Sequence, residues 1–225
     1  MTAEHPSALP LNAFPRDIRE LHFGNLSVCL DVVSDTDQLL GFYADTCGSR
    51  LNMLPYYAML WPSAEALVDY LVRHYPSLRG KRVLELGCGL ALPSMICAML
   101  GATVDAVDFH PDCLSAVDRN AELNHLTTVR TRCASWDDVE DDGYDLIIGS
   151  DLLYEAESIE SLSDCLTRLC RADTIVVLSD PGRNHLQEAT NRICERGFTQ
   201  NTHIVGDCFV IVFEPVPGVL ARTGA

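Results

Sequence analysis

Short apolar stretches alternate along the chain with stretches whose apolar residues recur at helical spacing. The apolar runs at 82–86, 103–107 and 144–149 are typical of buried strands, because they show little polar alternation. Further strands are predicted at 128–133 and 174–179, and helices are predicted from 62 to the proline at 76, after 86 up to 100, and at 111–123, 158–169 and 184–196. This alternation predicts an α/β fold with a doubly wound, mostly parallel sheet.

A β-hairpin is predicted at each end of this alternating region. Near the N-terminus, strands at 21–23 and 26–33 are separated only by a Gly-Asn dipeptide, which favours a tight turn. After the last helix, the residues from 198 to 213 form two strand-like stretches separated by a Gly-Asp dipeptide. We therefore expect an antiparallel hairpin at the C-terminal edge of the sheet and a separate hairpin before the alternating region.

Composition indicates a globular protein that is neither exported nor membrane-bound. The 225 residues are 48% hydrophobic, which is enough for a sizeable core. The first fifteen residues lack the apolar region of a secretory signal, and the longest mostly apolar stretch, 90–100, contains Pro93 and is too short to span a bilayer. We expect a cytoplasmic protein, with a monomer as the simplest state for a self-contained fold.

The cysteines and the net charge narrow the chemistry further. Ten cysteines are scattered without a C-x-x-C pair, so most are expected to be reduced thiols in the core, and no structural metal is predicted. The formal net charge of −16 disfavours a nucleic-acid substrate, because it repels phosphate backbones. An acidic surface better suits a protein or a small cationic substrate.

The stretch LIIGSDLLY at 146–154 indicates a site at the end of a buried strand. Its apolar run stops at Ser150 and is followed by Asp151 and Tyr154. In an open α/β sheet, ligands bind at the carboxyl ends of the strands. Polar residues at this position therefore predict a ligand site.

The stretch VLELGCGLALPS at 83–94 reads as a strand, a glycine turn and the start of a helix. Gly87 and Gly89 allow a tight turn and a close approach of the backbone to a ligand. A dinucleotide fingerprint would require a third glycine at the position of Leu92, so a nicotinamide or flavin cofactor is disfavoured. Asp108 ends the next strand, where a carboxylate can accept both hydroxyls of a ribose, although it could instead cap the following helix.

The sequence ELGCG after a first strand, with an acidic end to the second strand, resembles the S-adenosylmethionine site of class I methyltransferases. The resemblance implies a seven-stranded Rossmann-like methyltransferase sheet and S-adenosylmethionine as cofactor, with S-adenosylhomocysteine as product. It implies that Glu85 structures the loop and that the cofactor site includes Gly87, Cys88, Gly89, Asp108, Phe109 and Ser150. The usual third glycine is Ala91, which can occupy this position if its backbone is helical.

The same resemblance places adenine beside Trp136, although a loop tryptophan could instead fill a surface groove. Family members often carry Asp at the neighbouring position for the adenine amino group, and this chain has Ser135 there. Asp137 is a possible substitute.

Three stretches in order resemble one branch of that superfamily, the lysine-methyltransferase-like proteins. They are LPYYAMLWPSA at 54–64, the glycine motif, and SDLLYE at 150–155, which fits the branch's D-x-x-Y motif. The branch includes modifiers of electron-transfer flavoprotein and of chaperones, and its bacterial members are often labelled nicotinamide N-methylases. The resemblance implies that Asp151 orients the acceptor amine by accepting its N–H, and that Tyr154 forms a wall of the acceptor pocket.

Two roles are open for each aromatic residue of the first stretch. The resemblance implies that Trp61 packs near the methionine end of the cofactor, but it could equally be a hydrophobic staple under the first helix. Tyr56 and Tyr57 are expected in the core, with an aromatic lip on the substrate channel as the alternative.

We therefore expect an S-adenosylmethionine-dependent N-methyltransferase, acting on protein lysine. The alternatives are a small-molecule N-methyltransferase and a non-catalytic cofactor-binding protein of the same fold. A small-molecule enzyme usually needs a lid, for which 35–53 is the candidate. The expected organisation is one domain, 1–225, with a loose start at 1–15, a hairpin and substrate-side segment at 18–60, a catalytic core at 61–215 and a loose tail at 216–225.

Overall fold

The computed structural model describes residues 14–47, 54–140 and 143–219. Its strands are β1 (Arg16–Phe23), β2 (Leu26–Val33), β3 (Arg82–Leu86), β4 (Thr103–Asp108), β5 (Val129–Cys133), β6 (Leu146–Ser150), β7 (Ile175–Asp180), β8 (Phe198–Val205) and β9 (Cys208–Pro215). Its α-helices are α1 (Thr36–Cys47), α2 (Pro62–His74), α3 (Leu92–Met99), α4 (Cys113–Leu123), α5 (Ser158–Leu169) and α6 (Leu186–Glu195). No helix in these ranges combines the length and apolar character needed to cross a membrane.

Seven strands form one mostly parallel sheet in the order β5-β4-β3-β6-β7-β9-β8. Strands β3 to β7 pair in parallel, whereas β9 is antiparallel to both β7 and β8. The predicted α/β fold, the edge hairpin and the separate N-terminal hairpin of β1 and β2 are confirmed. The chain order reverses between β3 and β6, and ligands bind at such a reversal in open α/β sheets.

The apolar runs of the central strands are explained by burial on both faces of the sheet. Leu84 and Ile147 lie in a cluster with apolar residues of α5 and α6, whereas Val83 and Ile148 pack with residues of α2 on the other face. All four side chains are fully buried. Because neither face meets solvent, polar alternation is absent from these strands.

The N-terminal hairpin is held on α4 by amide side chains that bond to its backbone. Asn120 Oδ1 accepts the Asp31 N–H at 2.8 Å, while Asn120 Nδ2 donates to the carbonyl of Leu90 at 3.0 Å. One turn later, Asn124 accepts the Cys29 N–H at 2.8 Å and donates to the Cys29 carbonyl at 2.6 Å. Asn120 thus joins the hairpin to the glycine motif.

Two elements differ from the sequence prediction. Strand β1 begins at Arg16 rather than at residue 21, and most of its added residues are exposed, so they give no apolar pattern. Helix α1 was not predicted as a helix. Its described buried side chains, Leu39 and Tyr43, are four residues apart on one face and leave a weak periodic signal.

The remaining part of the predicted lid segment, 48–53, lies outside the described residues. The same is true of 1–13 and 220–225 in the predicted loose ends. The described part of the C-terminal end includes Val216, whose N–H donates to the carbonyl of Gly197 at 2.8 Å.

Candidate active site

A cavity of about 490 Å³ opens at the carboxyl ends of β3, β4 and β6. It lies where the strand order reverses, as expected for a ligand site in this fold. Of the predicted site residues, those that line it are Trp61, Gly87, Cys88, Gly89, Asp108, Phe109, Trp136, Ser150, Asp151 and Tyr154. The structure therefore brings the two predicted halves, cofactor and acceptor, to one space. The predicted residues Glu85 and Ser135 are not among its lining residues.

The glycine motif forms a loop with three left-handed residues. Gly87 and Gly89 have φ of 60° and 50°, conformations that glycine adopts without the usual steric cost. A Cβ on Gly89 would lie 3.1 Å from the carbonyl oxygen of Tyr57. The condition stated for Ala91, a helical backbone, is not met, because its φ of 57° and ψ of 35° are left-handed; Ala91 is the N-cap of α3. The loop therefore accommodates one alanine in a conformation that usually favours glycine.

Glu85 lies beneath this loop and binds the start of α3. Its carboxylate accepts hydrogen bonds from the Ser94 N–H, at 2.9 Å, and from the Ser94 hydroxyl. Burial raises the pKa of Glu85 to about 8, against the lowering effect of the Ser94 hydrogen bonds, and the nearby Asp108 charge adds to the rise. Glu85 thus supports the loop from below, in line with the structuring role that the resemblance implies.

Asp108 connects the ends of β3 and β4. Its Oδ2 accepts the Gly89 N–H at 3.1 Å and its Oδ1 accepts the His110 N–H at 2.9 Å. Burial raises the pKa of Asp108, although these N–H donors oppose the rise. Helix α4 begins only at Cys113, so Asp108 is not its cap. A carboxylate offers about four acceptor sites, which leaves capacity for ribose hydroxyls.

His110 also lines the cavity and was not predicted as a site residue. Its buried ring packs against Tyr57, with centroids 4.4 Å apart, and its Nδ1 accepts the Asp112 N–H at 3.2 Å. Tyr57 is buried, which confirms its predicted core position, and burial together with Tyr43 raises the pKa of its hydroxyl. The signal available in the sequence was position alone, since His110 lies two residues after Asp108, the last residue of β4.

At the far side of the cavity, Trp136 lies in a 3₁₀ turn, Trp136–Asp138, and lines the wall. Arg168 anchors this turn by donating to the Trp136 carbonyl at 2.7 Å. Ser135 is exposed and donates to Asp138 at 2.6 Å, and Asp137 accepts from Ser161 at 3.3 Å. Of Ser135, Trp136 and Asp137, only Trp136 is therefore a lining residue of the cavity.

Two buried thiols lie next to the glycine loop. Cys88 Sγ and Cys113 Sγ are 3.8 Å apart, and the Cys113 thiol donates to the Gly89 carbonyl at 3.0 Å. With Asp108 they form a cluster of metal-ligand type. The hydrogen bond with Cys113 and burial hold the pKa of Cys88 well above its usual value. Because metals bind thiolates, this environment favours two protonated thiols, and the predicted lack of a structural metal stays a prediction.

Asp151 directly follows β6 with a left-handed backbone, φ 58°, and its N–H donates to the Ser179 carbonyl at 3.0 Å. Its carboxylate is buried, and Oδ1 forms an ion pair with Nη1 of Arg183. Oδ2 is shielded from solvent and accepts no hydrogen bond from the residues that the structure describes. A buried carboxylate oxygen without a partner is costly, which marks Oδ2 as an acceptor for a ligand.

Arg183, which also lines the cavity, was missed in the sequence. Asp180, at the end of β7, fixes it by accepting its N–H at 2.7 Å and its Nη1 at 3.1 Å. Burial lowers the pKa of Arg183, but the two carboxylates raise it more. The sequence did carry a signal for Arg183, because it is a polar residue shortly after β7. Strand β7 pairs in parallel with β6, so the carboxyl ends of the two strands lie side by side.

An aromatic rim surrounds the acceptor end. The ring centroid of Tyr56 lies 6.4 Å from that of Tyr154 and 6.3 Å from that of Trp61, whose Nε1 donates to the Tyr56 carbonyl at 3.1 Å. Tyr56 is 42% exposed, so its predicted core position is wrong; its ring is held at the cavity mouth instead. Trp61 is the N-cap of α2. Burial, followed by the charge of Glu155, raises the pKa of Tyr154, which keeps its hydroxyl protonated.

Comparison with known families decides what kind of enzyme this site belongs to. The family described as lysine methyltransferase matches residues 56–191, which include the rim, the glycine loop and Arg183. The chain belongs to the lysine methyltransferase family. This confirms the predicted resemblance and the predicted enzyme class, an S-adenosylmethionine-dependent methyltransferase.

Relatives of this methyltransferase are named for more than one acceptor. It is 32% identical over 172 residues to the electron transfer flavoprotein beta subunit lysine methyltransferase of Xenopus laevis, covering 72% of this chain and 70% of that enzyme. It is 36% identical over 129 residues to the protein N-lysine methyltransferase METTL21A of Danio rerio, covering 54% and 59%. It is 37% identical over 111 residues to the histone-arginine methyltransferase METTL23 of Mus musculus, covering 46% and 44%.

The share of the relative's own length that the match covers differs among the electron transfer flavoprotein beta subunit lysine methyltransferases. The match spans 53% of the Danio rerio enzyme and 59% of the human one. The chain thus spans little more than half the length of these two relatives.

Two solved methyltransferase structures share this fold. The Thermus thermophilus 16S rRNA N2 G1207 methyltransferase, solved with AdoMet and guanosine, has a TM-score of 0.66 at 15% identity and covers 89% of this chain and 51% of its own. The magnesium protoporphyrin IX methyltransferase of Synechocystis, solved with bound SAM, has a TM-score of 0.59 at 18% identity, covering 80% and 97%. At this identity the likeness establishes the fold of the methyltransferase.

Proposed function

We propose that this enzyme transfers a methyl group from S-adenosylmethionine to the side-chain amine of a lysine in a protein. The observation that carries the proposal is that Asp151 and Tyr154 line the same cavity as the glycine loop and Asp108. The cofactor and acceptor residues come from different strand ends, yet they meet in one space of suitable size.

The cofactor half of the cavity fits a nucleoside with a charged tail. Asp108 has acceptor capacity left for the two ribose hydroxyls, and Trp136 provides a face for adenine. Gly87 and Gly89 let the loop backbone lie close to the methionine portion, beside Cys88 and Ser150. Phe109, which is 44% exposed, also lines the cavity. When bound, S-adenosylmethionine supplies a methyl group that its positive sulfur already activates.

The acceptor half supplies orientation, not a nucleophile. Asp151 Oδ2 accepts one N–H of the incoming amine, while the rings of Tyr154 and Trp61 restrict the direction of approach. Holding two reacting atoms in line can contribute roughly 7 to 11 kcal/mol to lowering the barrier. Alignment and a neutral amine are therefore the main requirements on the protein.

A protein acceptor is supported by the relatives and by the open mouth. Two of the relatives named above act on lysine in proteins. Helix α1, the described part of the predicted lid, contributes no residue to the described cavity lining. The net charge of −16 favours a cationic acceptor segment over nucleic acid. We also expect a monomer in the cytoplasm, which light scattering of the purified protein and cell fractionation can test.

Labelled methyl transfer into a lysate tests the proposal. Purified enzyme is incubated with S-adenosylmethionine carrying a labelled methyl group and with a lysate of cells lacking this gene, and the protein fraction is analysed by mass spectrometry. We expect methyllysine on a small set of proteins, and its loss with Asp151→Asn. Label only in small molecules would favour the small-molecule alternative, and cofactor binding without any transfer would favour the non-catalytic one.

A further inference from the structure

We infer that Arg183 is a positioning residue that makes the site select a neutral primary amine over a guanidinium group. This inference rests on the proposed function and names the acceptor class for the same site. The relatives include both lysine and arginine methyltransferases, so family membership leaves the choice open. The arrangement of Asp151, Arg183 and Asp180 supplies the discrimination.

Arg183 is held between the two acidic side chains, Asp151 and Asp180. Its Nη1 contacts Asp151 Oδ1 and lies 3.1 Å from Asp180 Oδ2. Asp180 is itself fixed, because its Oδ1 accepts the N–H of both Gly182 and Arg183 at 2.7 Å. The guanidinium therefore stays at the acceptor end of the cavity.

The first consequence concerns the geometry of recognition. A guanidinium group is bound best by both oxygens of one carboxylate, through two parallel N–H donors. Here Arg183 engages one oxygen of Asp151, and both oxygens of Asp180 already accept hydrogen bonds. Because Oδ1 already faces the Arg183 guanidinium, a second guanidinium cannot engage both Asp151 oxygens in a parallel fork, whereas Oδ2 stays available to an amine N–H.

The second consequence concerns the charge of the acceptor. A lysine amine attacks only when it is neutral, and a lone carboxylate beside it would stabilise the ammonium form and raise its pKa. The positive charge of Arg183, on the same carboxylate, opposes that rise. Among the described residues, the other charged or titratable groups near this end are Asp108, Tyr56, Tyr154, Glu155, Asp180, Asp207 and Cys208, and His110 lines the same cavity.

Without Arg183, the charged groups around Asp151 at the acceptor end are almost entirely acidic. Replacing Arg183 by a neutral residue should therefore move the acidic limb of the pH–rate profile to higher pH by about one unit or more. At pH values below that limb, one unit corresponds to about tenfold in rate, because the neutral amine becomes about tenfold rarer. A merely structural role would lower the rate at all pH values alike.

The test compares wild type with Arg183→Met and Arg183→Lys, using lysate protein as the acceptor and labelled S-adenosylmethionine as the donor. Acid hydrolysates are analysed for methyllysine and methylarginine at a series of pH values. Cofactor affinity is measured by calorimetry, and thermal unfolding checks that each variant is folded. We expect wild type to form methyllysine alone.

For Arg183→Met we expect cofactor affinity within about twofold of wild type, and lysine methylation that falls about tenfold at neutral pH but recovers at alkaline pH. Arg183→Lys should keep the wild-type limb, since it keeps the charge. An unshifted limb in Arg183→Met, or methylarginine formed by the wild type, would overturn the inference. Failure of the wild type to modify any protein would instead refute the proposed function itself.

Discussion

The backbone N–H of Gly89 donates a hydrogen bond to Oδ2 of Asp108 at 3.1 Å, which ties the loop after β3 to the end of β4. The same carboxylate faces the cavity, so it both shapes the cofactor loop and is available to the ribose. We therefore expect Asp108 to couple loop geometry to cofactor binding, so that its removal should affect both.

We expect Asp108→Ala to weaken S-adenosylmethionine binding by at least about tenfold, because it removes charge-assisted hydrogen bonds to the ribose. Calorimetry measures the change. Asp112→Asn is the matched control, since Asp112 accepts from Tyr43 at 2.7 Å and is not a lining residue. Unchanged affinity in Asp108→Ala would contradict the assignment.

Substituting Asp151 should separate catalysis from cofactor binding. In Asp151→Asn the carboxylate charge that orients the amine and pairs with Arg183 is lost. We expect turnover to fall by about a hundredfold, a typical effect for a group that acts in the transition state. S-adenosylmethionine affinity, measured by calorimetry, should stay within a few fold of wild type. If affinity fell as much as turnover, Asp151 would belong to the cofactor site.

Glu85 should make stability depend on pH. Its pKa rises from the ordinary 4.5 to about 8 on folding, so between these values the folded protein holds a proton that the unfolded chain releases. The stabilising contribution is therefore fully present below pH 4.5 and is lost as the pH rises through about 8. Urea unfolding of wild type and Glu85→Gln at several pH values measures this. The wild-type minus variant difference should decline across that window, and a flat difference would refute the raised pKa.

Gly89→Ala should destabilise the protein for two separable reasons. A left-handed backbone costs a non-glycine residue roughly 1 to 2 kcal/mol, and the added Cβ would lie 3.1 Å from the Tyr57 carbonyl oxygen. Gly206→Ala is the matched control, because Gly206 has φ +59° and open space around a Cβ. Gly89→Ala should lower the free energy of unfolding more than the control does. Equal losses in chemical denaturation would show that the contact with Tyr57 relaxes freely.

Asn120 should matter for stability although it lies outside the cavity. Asn120→Ala leaves the N–H of Asp31 and the carbonyl of Leu90 without their partner, and both bonds are buried. Each unpaired buried group costs about 1 to 3 kcal/mol, so we expect a loss of about 3 kcal/mol. Asn191→Ala, at an exposed bond on α6, should change the free energy of unfolding by less than about 0.5 kcal/mol. A loss below about 1 kcal/mol for Asn120→Ala would contradict this.

Much of the architecture could be predicted from local patterns. The apolar runs of β3 and β6 identify buried strands, and the two short Gly-containing turns identify the hairpins. Gly87, Gly89 and Asp108 could be proposed as a cofactor site from the sequence because close backbone approach and a strand-end carboxylate are local requirements. Helix α1 was not predicted because the periodicity of its apolar residues is weak. The exposure of Tyr56 was not predicted because the motif at 54–64 does not determine which aromatic side chain faces the cavity mouth.

What only the tertiary structure decided is which side chains meet. Asp151 and Arg183 are far apart in the sequence, yet β6 and β7 pair in parallel and bring their carboxyl ends together. In the same way, Asn120 reaches Asp31 across 89 residues. Periodicity and glycine placement act over a few neighbouring residues, so the sequence alone determined the elements and the cofactor loop. Strand order and packing determine distances between separate elements, and these distances alone revealed that the Asp151 carboxylate is held by Arg183.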